Sequence, residues 1–189
     1  MDRRLALALS VALVGWQLAD VAEARLPLSV TWALIDEVGH ASVAAFVLLW
    51  AWPTWGWRPL LAAVLAATLI DVDHALAAGS LMPERMMTLA ARPAAHSLLG
   101  AAVAGGAGWL VGGRRVGYAA VVGVLTHLAR DAQGDPGVPL LVPFVAEWHV
   151  RLAAWSLPLL VIGLAAVTSV ASSASWPRSL YVRRWSRSR

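Results

Sequence analysis

The sequence predicts an all-α fold: a polytopic integral membrane bundle of about six transmembrane helices. Three observations predict it. Of 189 residues, 59% are hydrophobic and only 14% are charged. The mean hydropathy is +0.67. Apolar runs of spanning length recur between Pro and Gly breaks, and a helix crosses the hydrocarbon core with about 20 such residues. Soluble domains sit nearer about 45–50% apolar, so an ordinary soluble enzyme does not fit, and a disordered or fibrous chain is excluded.

The first run covers 5–22. Arg3 and Arg4 precede it, and Ala22-Glu23-Ala24 resembles a signal-peptidase site, so it also reads as a signal segment whose removal would leave five helices. The second run is 29–52, the third 59–78, the fourth 94–112, the fifth a short 116–130, and the sixth 150–172. Pro53, Pro59, Pro93 and the Gly112-Gly113 pair punctuate the boundaries. Residues 1–172 therefore form one transmembrane domain, and 173–189, dominated by Ser, Trp and Arg, form a basic interfacial tail.

All 15 basic residues are Arg, which excludes Lys-based Schiff-base chemistry and a phosphate-binding lysine. Cys is absent, which excludes disulfides, thiolate nucleophiles and Cys-based zinc sites. The formal net charge of +4 does not point to nucleic acid, because the Arg residues gather at the C-terminus and between apolar runs. Retained cytoplasmic charge explains them better. With the N-terminus inside, ten Arg fall on the inner side and five on the outer, so both termini are expected in the cytoplasm of a multi-pass inner-membrane protein. Trp50, Trp52, Trp55, Trp57 and Trp109 then form an inner aromatic belt.

Ionisable side chains inside spanning helices are costly and mark function. Under this topology they sort to one face. Asp36, Glu37 and His40 lie in the outer half of the second helix, and Asp71, Asp73 and His74 near the outer end of the third. His96 and Ser97 open the fourth, and His127 and Asp131 close the fifth. Four helices are expected to converge on one extracytoplasmic pocket. Asp36 and His40, like His127 and Asp131, are four apart and share a helix face, and Asp71 and His74 are three apart. Asp73 is two from Asp71, so either the helix loosens there or Asp73 orients a histidine from behind. Imidazole with carboxylate suits a divalent transition metal, Zn²⁺ or Mn²⁺ foremost, as one or two ions. The candidate ligands are His40, Asp71, His74, His96, His127 and Asp131. Ser97 is expected to cap its helix, and 134–139 to form a turn-rich rim beside Asp131.

In order along the chain stand Asp36-Glu37-Val38-Gly39-His40, Leu69-Ile70-Asp71-Val72-Asp73-His74, Arg92-Pro93-Ala94-Ala95-His96-Ser97-Leu98, Thr126-His127-Leu128-Ala129-Arg130-Asp131 and Gly137-Val138-Pro139-Leu140-Leu141-Val142-Pro143. In this combination the chain resembles the YdjM-type family of membrane-bound, LexA-regulated, metal-dependent hydrolases. The resemblance implies a multi-helix membrane fold and a hydrolase whose metal site uses these His and Asp positions, without supplying a substrate. Members often carry His-Arg-Gly-x-Thr-His-Ser at the third motif; here Ala91 and Ala95 stand at the first and fifth positions, which implies a missing ligand or hydrogen bond.

The expected activity is hydrolysis of a phosphoester of a lipid or similar amphiphile at the outer leaflet. Glu37 or Asp73 would serve as general base, and Arg92 would stabilise developing phosphoryl charge. The competing readings are an intramembrane zinc protease, in which Glu37 activates water beside His40, a metal-independent phosphohistidine phosphatase, and a metal or proton transporter. Transport is the poorer fit because the inner halves are almost uniformly Ala, Val, Leu and Gly.

Overall fold

The computed structural model describes residues 2–90, 92–134, 136–145, 148–153 and 155–173. The described chain is helical, with one isolated antiparallel bridge between Val138 and Val150. The helices are α1 (Arg3–Glu23), α2 (Val30–Leu49), α3 (Trp52–Trp55), α4 (Trp57–Leu69), α5 (Val72–Ala78), α6 (Pro83–Met86), α7 (Leu98–Gly112), α8 (Arg114–Asp131) and α9 (Ser156–Ser173). Four stretches are long and apolar enough to cross a bilayer: α1, α2, the α4–α5 unit Trp57–Ala78, and α9. α7 is apolar but only 15 residues long. α8 has 18 residues and lies buried among the others. The chain is an all-α integral membrane protein.

All six predicted runs are helical, and their boundaries move for local reasons. The fourth starts at Leu98 rather than 94, because Pro93 and the turn closed by His96 N–H on the Pro93 carbonyl (3.0 Å) hold the segment out of the helix. Ser97 then caps as expected, its Oγ accepting from Gly100 N–H at 3.3 Å. The sixth starts at Ser156 rather than 150. Val150 is committed to Val138 through a reciprocal backbone pair of 3.0 and 2.9 Å, which a helix could not make. The third is interrupted at Ile70–Asp71, between α4 and α5. The expected basic tail lies outside the described residues beyond Ser173.

α8 is the axis of the bundle, packing on α2, α4, α7 and α9, while α1 packs along α2. The main core joins Trp16 of α1, Val43, Val47 and Leu48 of α2, Ala63 of α4, Ala119 and Val122 of α8, and Leu157 and Val161 of α9. Trp16 is 5% exposed, so the first helix is a full member of this core. Gly105 and Gly108 of α7 work within the chain. A Cβ on Gly117 of α8 would lie 2.7 Å from the Gly105 carbonyl, so small residues on both sides let α7 and α8 touch through backbone.

Candidate metal centre

The polar residues meet at one end of the bundle, where α2 begins, α4 gives way to α5, and α8 ends. His40, His96 and His127 are fully buried, and His74 nearly so. The loosened turn at Ile70–Asp71 lets Asp71 and Asp73 address the same imidazole from opposite sides. Asp71 Oδ1 lies 3.0 Å from His96 Nε2, and Asp73 lies 3.3 Å from His96 Nδ1. Asp73 also accepts the Ala95 N–H at 3.1 Å. The two alternatives of the sequence reading occur together in the geometry: the helix is interrupted at Ile70–Asp71, and Asp73 lies beside His96 Nδ1.

Carbonyl and carboxylate oxygens only accept, so they determine which ring nitrogen carries a proton. His127 Nδ1 donates to the Ala67 carbonyl at 2.7 Å, and His74 Nδ1 to the Met86 carbonyl at 3.1 Å. His96 Nδ1 donates toward Asp73. All three rings therefore turn Nε2 into the centre. There, His96 Nε2 and His127 Nε2 stand 3.1 Å apart. Two unprotonated nitrogens at that distance repel unless a proton or a metal ion lies between them. Two imidazole nitrogens on one tetrahedral zinc are about 3.3 Å apart for Zn–N bonds of about 2.05 Å.

The remaining ligand atoms close around this pair. Asp131 Oδ2 is 3.1 Å from His127 Nε2 and 3.5 Å from His96 Nε2. Asp71 Oδ1 is 3.6 Å from His127 Nε2 and 3.8 Å from His74 Nε2. His40 stacks on His127 with ring centroids 3.7 Å apart, and its Nε2 is 3.5 Å from Asp131 and 3.4 Å from Asp36. Neither His40 Nε2 nor His74 Nε2 has a hydrogen-bond partner. Buried imidazole nitrogens are seldom left so, and here both lie beside carboxylates. Four overlapping triads could each hold an ion: His40, His127 and Asp131; Asp71, His96 and His127; Asp73, His74 and His96; and Asp36, His40 and Asp71. The donor set fits a divalent transition metal, with room in its chemistry for one ion or two.

All six sequence-derived ligands thus come together, with Asp36 and Asp73 added. Glu37 interacts with Asp71, and its Oε2 is buried without a hydrogen-bond partner. Arg92 does not stand free. Its Nη1 is paired with Asp131, and its Nε donates to the Gly137 carbonyl at 3.1 Å, which fastens the predicted rim to the site. Ala91 is not among the described residues. At Ala95 only the backbone contributes, through the bond to Asp73. His149 belongs to none of the triads.

Sequence reasoning missed a second layer built on Arg130. Arg130, one of the five arginines assigned to the outer side, is 8% exposed and lies inside the bundle. Its guanidinium is paired with Asp36 and Glu23 and donates to Asp20 Oδ1 at 3.0 Å. Asp36 therefore links Arg130 to His40. The available signals were the three-residue spacing of Asp20 and Glu23 at the end of an apolar helix, and an Arg one turn after His127. Gly39 makes room for this group: a Cβ there would lie 2.7 Å from the Arg130 guanidinium. Gly39→Ala is expected to lower stability by about 1–3 kcal/mol through overpacking, read as a lower unfolding temperature of the purified protein.

Residues 35–186 match the family model described as YdjM inner membrane protein. No curated protein and no solved structure matches the chain. The matched segment begins one residue before Asp36 and takes in every candidate ligand.

Proposed function

Because this chain belongs to the YdjM inner membrane protein family, we propose that it is a membrane-embedded, metal-dependent hydrolase of a lipid phosphoester, with its site on the extracytoplasmic face and both termini in the cytoplasm. The observation that carries the metal is the inward facing of His96 Nε2 and His127 Nε2 at 3.1 Å, beside Asp71 and Asp131. The side inference is carried by the Arg distribution, ten against five.

His40, His74, His96 and His127, with Asp71 and Asp131, would hold one or two ions, Zn²⁺ or Mn²⁺ foremost. A bound divalent ion supplies a lowered water pKa and polarises the scissile group. Glu37 is assigned the proton transfer, because its buried Oε2 lacks a partner while Asp73 is occupied with Ala95 and His96. Asp73 holds the His96 ring by its Nδ1–H, the usual carboxylate support behind a metal-binding histidine. Arg92 keeps Asp131 in place and offers its charge to an anionic headgroup, in a polar mouth of about 450 Å³ that it lines with Asp36 and Arg130. Beneath the site the described core is Val43, Val47, Ala63 and Val122, which favours hydrolysis at one face over a path through the membrane.

The test is hydrolysis of lipid phosphates by the purified protein in detergent, read as inorganic phosphate from phosphatidic acid and polyprenyl phosphate and as released headgroup from phospholipid diesters. Turnover that is lost with a chelator and restored by Zn²⁺ or Mn²⁺ is expected; turnover indifferent to a chelator would favour phosphohistidine chemistry. Asp73→Asn should weaken metal binding about 10–100-fold, measured by competition with a chromophoric chelator, with the fold retained.

A further inference from the structure

α4 and α7 each pack along α8 but barely touch one another. The gap between them is an apolar groove of about 770 Å³. Leu65 and Leu69 of α4 form one wall, Leu99, Val103 and Val111 of α7 the other, and Ala120 of α8 the floor. From Leu99 to Val111 the groove runs about 18 Å at 1.5 Å per residue, close to one leaflet of a hydrocarbon core about 30 Å thick.

The head of this groove is the wall of the His/Asp cluster. Ile70 and Ala95 line it. Ile70 immediately precedes Asp71. Ala95 immediately precedes His96, and its N–H is held by Asp73. The cluster also borders the polar mouth lined by Asp36, Arg92, Arg130 and Asp131. The cluster therefore adjoins a polar opening and, through the chain neighbours Ile70 and Ala95, an apolar groove one leaflet long. A soluble phosphoester would need only the first.

We propose that the α4–α7 groove binds the single hydrocarbon chain of an outer-leaflet lipid phosphate whose headgroup reaches the His/Asp cluster. This rests on the hydrolase reading above and names the substrate class of the same site. The chain lies against Leu65, Leu69 and Val103, and selectivity for long chains follows from the length of the groove.

The experiment uses the full-length protein in lipid nanodiscs and a hexadecyl phosphate with a diazirine near its terminal carbon. Photolabel is expected on 62–66, 107–111 and 116–120, the end of the groove away from the cluster. Unlabelled hexadecyl phosphate should compete at least about tenfold better than hexadecanol, a difference of about 1.4 kcal/mol for the head. Ala107 is exposed and lines the groove, so Ala107→Phe should fill it without disturbing the core and cut labelling about tenfold. Val167→Phe, on the exposed face of α9, should leave labelling unchanged. Label spread evenly over α1 and α9, equal competition by hexadecanol, or indifference to Ala107→Phe would overturn the proposal. Groove labelling with no hydrolysis of any lipid phosphate would instead remove the hydrolase reading and leave the lipid-phosphate site standing.

Discussion

His127→Ala is expected to empty the metal centre. His127 belongs to two of the four triads, and its Nε2 faces both His96 Nε2 and Asp131. Its ring is fully buried and oriented by the Ala67 carbonyl. No neighbouring side chain can substitute, because His40 stacks flat on the same ring and His96 is already tied to Asp71 and Asp73. Losing a residue that only supports a ligand weakens metal binding about 10–100-fold, so losing this ligand should weaken it by more than about 100-fold. Metal analysis after gel filtration should find the variant empty where the wild type is loaded. His149→Ala, outside every triad, should retain the wild-type content. Bound metal retained in His127→Ala would contradict the placement of the site.

The second large effect is structural. Arg130→Met removes the cation that serves Glu23 and Asp36 inside the bundle. Breaking a buried pair by removing one partner costs about 3–5 kcal/mol, because the remaining charge has no compensation. Here two largely buried carboxylates are left, so the variant is expected to unfold at markedly lower temperature and to accumulate poorly. Asp20 is 41% exposed, and Asp20→Asn should cost less than about 1 kcal/mol. Arg130→Lys keeps the charge but loses the planar fork that reaches three carboxylates, so it should fall between the two. Thermal unfolding in detergent ranks the three. Equal stability of Arg130→Met and wild type would remove the buried hub from the account.

What was legible in the chain follows from what kind of signal each feature leaves. The bundle was readable because spanning helices declare themselves by apolar length alone. The convergence of His40, Asp71, His96 and Asp131 was readable because alternating helix direction sends these positions to one end. The joint action of Asp71 and Asp73 was readable only as an alternative. Two residues apart, they diverge on a regular helix, and the break at Ile70–Asp71 that reunites them carries no Pro or Gly. The Arg130 hub was illegible in a stronger sense. Its partners lie about a hundred positions away, at the end of a helix whose last residues also resemble a cleavage site, and an Arg beside Asp131 looks the same in sequence whether it flanks a helix or is buried in one. The start of α9 was misread for a similar reason. Val150 is as apolar as the helix that follows, and only its pairing with Val138 takes it out.

A cation between His96 and His127 is the centre of the proposed site. The most direct measurement is the metal-to-protein ratio of the full-length wild type, purified in mild detergent and analysed by mass spectrometry for all first-row transition metals. One or two tightly held ions per chain are predicted, with uptake falling as pH is lowered because the imidazole and carboxylate ligands must be deprotonated. A protein that stays metal-free after incubation with Zn²⁺ and with Mn²⁺ would contradict the account at its centre.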